Sequence, residues 1–466
     1  MRMLLVSQLA CCLMADRATS AQEGTRTQSI ILVNEQHTAC RIVQLADENQ
    51  LDVEIDGVPR RLRLSELVAW GSRSRLQSRG ALELSDGSLI AIDQIPRLAR
   101  IEPAEKQARP TAGEAALEPV DGVLSLLKIP VRCVAAIHAV LPVRLGTLGK
   151  SANDRSSGGA ARAGPVSDPG SSESSGVGTG PFAGSLEFQN ADILSGRWVD
   201  PGLLRSDTDT RTVVHWRTPT TTLTVPWERI AAIRMQVRGA APERIRALFG
   251  FQDGTLLAVD RWMLEGGQVR LTLACGAELR LPRETLLSEW NSLESLDDEL
   301  LYLSDIEPLA YRCVPYLSLE WPLGRDRSVT GENLTLRGRV ISKGLGMHAT
   351  SRVAYDVSQG YGKFSAELAL DGSSGEQGSV VCRIAIDKGD GEWTTPYTSA
   401  VLRGGGPGES VSIDISAARR LALIVESADH GDVADRLNWL RARLTRLPNG
   451  RPAKPASTRT EAAPGR

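Results

Sequence analysis

The 466-residue sequence predicts a mainly β protein, a β-sandwich over residues 301–446 preceded by two related small β-rich units. Three observations predict it. Apolar residues alternate with polar ones at the two-residue period of a half-buried strand. Asp-Gly and Gly-rich turns interrupt the alternating runs at short intervals. Helical periodicity is missing from the C-terminal third. Domains usually hold roughly 100 to 200 residues, so a chain of this length is expected to contain about three globular units.

Residues 1–21 read as a secretory signal, with Arg2 as the charged start, residues 3–14 as the apolar stretch and Thr19-Ser20-Ala21 as the small-residue end. Gln8 stands where a lipoprotein box before Cys11 needs an aliphatic residue, so no lipid anchor is expected. No later run reaches about 18 uninterrupted apolar residues, and no transmembrane segment is expected. The chain reads as secreted, or as periplasmic in a cell envelope.

The first β-rich unit covers residues 28–143. In it Leu51, Val53 and Ile55 alternate with polar residues, Asp56-Gly57 turns the chain, and Leu62 and Leu64 resume the alternation. The second unit covers residues 184–300, where Val269, Leu271 and Leu273 lead through Cys275-Gly276 to Leu279 and Leu281. Two alignments relate the units. Residues 82–93 match 249–260, each a strand, an Asp-Gly turn and a strand. Residues 127–137 match 223–233, each a short strand, a stopping proline (Pro130, Pro226) and a turn leading to an apolar anchor. Weaker copies stand at residues 62–70 and 279–290. Between the units, residues 144–183 are rich in Ser, Gly and Pro and read as a flexible linker, since such a stretch buries too little surface to offset its ordering entropy. A shorter segment at 103–119 and the tail at 447–466 are expected to be loosely held for the same reason.

Lys plus Arg number 54 against 56 for Asp plus Glu, a net charge of −2, with no long basic run, so nucleic acid is not an expected partner. Loss of the signal would leave Cys40, Cys133, Cys275, Cys313 and Cys382, an odd set without repeated spacing. No disulfide framework follows, and at most one or two bridges are expected. Cys382 sits in a strand-like run and reads as a small core residue. His37, His138 and His215 lack metal-ligand spacing. The Gly149-Lys150-Ser151 end is not a phosphate loop, because only two residues separate Gly146 from Gly149, and GxSxG, HExxH and CxxC patterns are missing. The protein therefore reads as a non-enzyme. The alternative of a glycoside hydrolase in the N-terminal half would need two carboxylates at a set separation, which spacing alone does not locate.

In the C-terminal third, Phe364, Ala366, Leu368 and Leu370 alternate toward Asp371-Gly372, and further strands are marked by Val380, Cys382, Ile384 and Ile386, by Val411, Ile413 and Ile415, and by Leu421, Leu423 and Val425. Five motifs occur in order: Lys343-Gly344-Leu345-Gly346-Met347-His348-Ala349-Thr350-Ser351, Tyr361-Gly362-Lys363-Phe364-Ser365-Ala366-Glu367, Gly378-Ser379-Val380-Val381-Cys382-Arg383, Val411-Ser412-Ile413-Asp414-Ile415-Ser416 and Asp435-Arg436-Leu437-Asn438-Trp439. Their series resembles the NPCBM/NEW2 family of carbohydrate-binding modules. The resemblance implies a galactose-binding-like jelly-roll β-sandwich over 301–446 that recognises a polysaccharide or other glycan. In the family the last motif usually carries His after its Asp, and here that place holds Arg436, so the resemblance implies an altered specificity if the position touches sugar. It also implies a structural Ca²⁺, with Glu426, Asp429, Asp432 and Asp435 as the oxygen donors on hand, the alternative being a solvated acidic loop.

A sugar needs an aromatic platform for its apolar face and fixed polar groups for its hydroxyls. Candidates are Trp439 with Asn438, Asp435 and Arg436, His348 in its Gly-rich turn, and Trp393 with Tyr397 in a charged loop. Trp439, placed just before the final strand, also reads as a core plug, and His348 as a side chain that fixes the Asp435 loop. The expected function is a secreted, non-catalytic, glycan-binding protein. The alternative is a structural or protein-interaction component of a cell envelope whose sandwich has lost its ligand.

Overall fold

The computed structural model describes residues 25–34, 36–47, 49–101, 114–119, 122–125, 127–141, 182–199, 213–236, 244–314, 320–429 and 431–446. The expected signal, the tail and nearly all of the long linker lie outside the described residues. The chain divides into two compact units. One holds the described residues up to Leu293, and the other holds those from Glu294 onward together with Ser72–Arg75 and Leu141.

The first unit is built from one small pattern used four times. The first copy runs β1 (Gln28–Leu32), β2 (His37–Ala46), β3 (Gln50–Ile55), β4 (Val58–Arg63), a 3-10 turn (Leu64–Glu66) and β5 (Leu67–Gly71). The second runs β6 (Gly80–Leu84), β7 (Leu89–Ile92), β8 (Arg97–Ile101), β9 (Glu114–Glu118), β10 (Ile129–Pro130), a 3-10 turn (Val131–Cys133) and β11 (Val134–His138). The third runs β12 (Ala183–Phe188), β13 (Ile193–Val199), β14 (Val213–Arg217), β15 (Thr222–Pro226), a 3-10 turn (Trp227–Arg229) and β16 (Ile230–Met235). The fourth runs β17 (Ala247–Phe251), β18 (Leu256–Glu265), β19 (Gln268–Leu273), β20 (Glu278–Pro282), a short helix (Arg283–Glu289) and β21 (Trp290–Ser295). In the first, third and fourth copies four strands form an antiparallel meander, and the last strand returns to pair with the first. The second follows the same path with its second strand split into β7 and β8. Of the six stretches matched in the sequence, 62–70, 127–137, 223–233 and 279–290 run through the helical turn into the last strand, and 82–93 and 249–260 form the Asp-Gly hairpins of the second and fourth copies. The proline ending β10, β15 and β20 has extended φ and ψ and starts that turn.

The copies do not close on themselves. A repeat this small buries too little of its surface to be stable alone, and here the last strands pair across copies, β11 with β16 and β5 with β21. Strands β1–β7 and β11 thereby share one hydrogen-bonded sheet network with β12–β21, while β8, β9 and β10 form a separate three-stranded sheet. In the β11–β16 pair Ile137 faces Ile233, flanked by Ala136 facing Arg234 and His138 facing Ala232. Exchanging aligned residues maps that pairing onto itself, so it has local two-fold symmetry. The Asp-Gly hairpins repeat the relation. Ser88 Oγ accepts the Ala258 N–H at 2.9 Å, and the aligned Thr255 Oγ1 accepts the Ala91 N–H at 3.0 Å. The common core is aromatic where copies meet, with Trp70 5.4 Å from Trp290 and Phe249 stacked on Trp290 at 4.6 Å between centroids. One expectation is corrected here. Residues 103–119 are not loose throughout, because Glu114–Glu118 forms β9 with Ala116 and Leu117 fully buried.

The second unit is a β-sandwich. Its strands are β22 (Leu300–Tyr302), β23 (Ala310–Cys313), β24 (Gly324–Arg325), β25 (Leu334–Leu336), β26 (Arg339–Ile341), β27 (Gly344–His348), β28 (Ser351–Asp356), β29 (Tyr361–Leu370), β30 (Ser379–Asp387), β31 (Trp393–Thr398), β32 (Leu402–Arg403), β33 (Glu409–Asp414), β34 (Arg420–Ser427) and β35 (Arg436–Arg446). One antiparallel sheet runs β24-β27-β35-β29-β33 with β22 added on β35, and the other runs β23-β28-β34-β30-β31 with β32 added on β30. The alternating residues read from the sequence meet between them: Phe364, Leu368, Cys382, Ile384, Leu421, Leu423 and Val425 share a core with Tyr355 and Trp439. Two local expectations are corrected. His348 ends strand β27 rather than lying in a turn, and Trp439 lies within the final strand β35 rather than before it. Glycines suggested a turn at 344–346, but they serve close packing. A Cβ on Gly346 would stand 2.4 Å from the Val329 nitrogen and 2.5 Å from the Ser328 carbonyl carbon.

Candidate functional site

The register of β27 on β35 sets His348 opposite Arg436, Gly346 opposite Asn438 and Leu345 opposite Trp439. Side chains alternate along a strand, so these neighbours divide between the core and the rim. Leu345 and Trp439 are both fully buried in the core. A buried indole offers no face to a ligand, and Trp439 acts as a core plug.

His348 is 4% exposed, and its Nδ1 donates to the Ala349 carbonyl oxygen at 2.6 Å. The half-buried Trp321 lies flat on the imidazole, with centroids 4.8 Å apart and planes 2° from parallel. The Arg436 guanidinium carbon is 5.7 Å from the Trp321 ring centroid, within cation–π range. Arg436 Nη1 donates to the Ser373 carbonyl oxygen at 3.1 Å and approaches its hydroxyl at 3.0 Å. Ser373 in turn donates through its N–H and its hydroxyl to Asp371 Oδ1, while the Asn438 amide donates to Asp371 Oδ2 at 3.1 Å. Arg436 Nε and Asn438 Oδ1 are buried and have no hydrogen-bond partner among the described residues. Asp435, 1% exposed, accepts the Ser379 N–H at 2.7 Å. Burial raises its pKa above the ordinary carboxylate value, against the pull of Ser379 and Ser427. Arg436, the exposed Ser373, Asp371 and Asn438 thus form one hydrogen-bonded network, whose outer members make a rim with Trp321, the ring that contacts both Arg436 and the buried His348.

Trp393 and Tyr397 belong to a different place, strand β31 at the edge of the other sheet. Trp393 is 42% exposed, and the Arg420 guanidinium carbon lies 5.4 Å from its ring centroid. Arg420 is held there by the buried Asp387, whose pKa is lowered first by the Gly389 N–H and further by Arg420 and the Gly391 N–H. The Tyr397 hydroxyl donates to Glu409, and burial together with that carboxylate pushes its pKa up.

The acidic candidates do not converge. Glu426 pairs with Arg383 at 2.8 Å, and Asp429 accepts the Ser379 hydroxyl at 2.7 Å and the Gly431 N–H at 3.2 Å. Among the described residues no three His, Cys, Asp or Glu side chains come together as metal ligands. The residues do not fit the implied Ca²⁺.

Trp321, Asp371 and Ser373 escaped the sequence reading. Trp321 stands in Glu320-Trp321-Pro322, outside any alternating run, so no periodicity flagged it. Asp371 signalled a turn through Asp371-Gly372, and its carboxylate role follows only from the neighbouring β35. Among the described residues no helix is long and apolar enough to cross a membrane.

Comparison with known proteins identifies the second unit. The NPCBM/NEW2 domain family matches residues 300–445. A Renibacterium salmoninarum protein named "Putative endo-alpha-N-acetylgalactosaminidase" is 28% identical over 123 residues, a stretch covering 26% of this chain and 8% of that protein. Among solved structures, CBM51 from Clostridium perfringens GH95 in complex with methyl-galactose is similar at 22% identity, covering 31% of this chain and 99% of that one with a TM-score of 0.28. The tandem CBM51 modules of a family 98 glycoside hydrolase from Streptococcus pneumoniae are similar at 11% identity, covering 57% of this chain and 88% of theirs, again with a TM-score of 0.28. The C-terminal third of the chain, residues 300–445, is an NPCBM/NEW2 domain.

Proposed function

We propose that the chain is a secreted, non-catalytic protein whose C-terminal sandwich binds glycan on the rim formed by Trp321, Arg436 and Ser373. The observation that supports this reading is the half-exposed indole of Trp321, held in one orientation by the parallel imidazole beneath it and bordered by hydrogen-bond donors. A pre-set aromatic surface beside fixed polar groups suits a sugar ring with its hydroxyls. Arg436 donates where the family's histidine would stand, which favours ligands rich in acceptors. The relative's name makes α-linked N-acetylgalactosamine the first sugar to try. In affinity electrophoresis of the full chain through glycans carrying it, and on a glycan array, retention is expected, with Trp321→Ala weakening it about two- to tenfold, the loss of roughly one ring contact. If the folded chain is retained by no glycan, the reading fails. Trp393→Ala distinguishes the two surfaces, since only a site on β31 would respond to it.

One observation favours a second reading. His348 and Arg436 already contact the Trp321 ring, so the chain itself supplies partners that a sugar would otherwise provide. In that case the sandwich is a structural or protein-interaction element of a cell envelope. Capture of one defined envelope protein by the full chain, unaffected by Trp321→Ala and by free sugars, is then expected.

A further inference from the structure

Cys133 ends the 3-10 turn before β11 in the second repeat, and Cys275 lies in the turn between β19 and β20 of the fourth. They stand 142 positions apart in sequence, yet the Cys133 thiol donates to the Cys275 carbonyl oxygen at 3.2 Å. Both backbones are fastened to one hairpin. The Ser85 N–H donates to the Cys133 carbonyl oxygen at 2.8 Å, and Asp86 Oδ2 accepts the Cys275 N–H at 2.9 Å. Cys133 is 1% exposed and Cys275 is half-buried, so a reagent reaches the pair through Cys275. The contact with Cys275 lowers the Cys133 pKa, while the same contact and burial raise that of Cys275. All five described cysteines are free thiols in this structure.

We propose that Cys133 and Cys275 form a redox-modification site, at which a small disulfide oxidant converts the two thiols into a bond that staples the second repeat to the fourth. The Cys275 sulfur, the one a reagent can reach, attacks the oxidant's disulfide as its thiolate, a form that its raised pKa keeps scarce and that makes this the slow step, forming a mixed disulfide and releasing one thiol. The deprotonated Cys133 then attacks the Cys275 sulfur, closing the protein disulfide and releasing the second thiol. Two electrons pass to the oxidant, and the two cysteine protons end on its two released thiols. The loop closed is long, which is the case in which a cross-link most restricts the unfolded chain. Nothing in this proposal depends on sugar binding.

The test uses the full chain equilibrated with excess oxidised glutathione, then unfolded in the presence of an alkylating reagent and mapped by mass spectrometry without reduction. A peptide pair joining Cys133 to Cys275 is expected, with two fewer alkylated cysteines than in the reduced chain and a higher urea midpoint that falls back on reduction. Cys275→Ser should leave Cys133 fully alkylatable and remove the shift in midpoint. Should a serine variant fail to fold, the map of the unaltered chain decides alone. Full alkylation of both cysteines after oxidation, or pairing of either with a different cysteine, overturns the proposal.

Discussion

The side chain of Trp439 fills the middle of the sandwich core without reaching solvent. Trp439→Ala is therefore expected to lower stability by about 3–5 kcal/mol, the range for removing a buried aromatic ring, measured by urea denaturation. Asp387 gives a prediction in pH. Its pKa is lowered in the folded state by the Gly389 N–H, Arg420 and the Gly391 N–H, so the ionised form stabilises the fold. That contribution is fully present above the unfolded value of about 3.9 and is lost as pH falls through the lower folded value. Asp387→Asn should melt below the unaltered chain at pH 7, and the gap should close in acid. An equal gap at pH 7 and pH 2.5 would sink the assignment. At this scale the sequence was informative about type and poor about partners: Trp439 was legible as a core plug, whereas nothing adjacent to Trp321 announced the imidazole that lies under it.

Strands β24 and β27 pair through Gly324 and Gly346, and both glycines face backbone at distances a Cβ does not tolerate. Gly346→Ala is expected to cost about 1–3 kcal/mol, the usual range for overpacking, because the atoms it would meet belong to the backbone of residues 327–329 and cannot rotate away. Since β27 carries His348, the same variant should also weaken any glycan retention that depends on the Trp321–His348 stack. Hydrogen–deuterium exchange that rises in residues 324–329 and 344–348 would locate the damage, and an unchanged urea midpoint would contradict it. The strands themselves were readable, since period two marks a face that is buried on one side only. The glycine-rich segment misled, because close packing and turning both select glycine.

Across the N-terminal unit, the Asp86 carboxylate holds its own turn through the Ser88 N–H at 2.9 Å and a distant repeat through the Cys275 N–H at 2.9 Å, with no exposure to solvent. Asp86→Ala leaves both donors without this acceptor and should cost about 2–6 kcal/mol, at 1–3 for each buried unsatisfied group. The aligned Asp253, which is partly exposed, takes the Thr255 N–H at 2.9 Å and the Val123 N–H at 3.2 Å. Asp253→Ala should therefore be milder, because water can reach the freed groups, and equal midpoints for the two variants would count against this reading. By itself the sequence determined that the chain is mainly β, where its hairpins turn, that segments recur on either side of residues 144–183, and that the last third is a sandwich of a recognisable family. Those properties are local, carried by alternation, turn residues and motif order. That the recurrence is fourfold, that last strands pair across repeats, that Cys133 meets Cys275 and that Trp321 rests on His348 were decided only by the tertiary structure. Each joins residues far apart in the chain, and a contact between distant residues depends on how strands fold back on one another, which no stretch of sequence encodes alone.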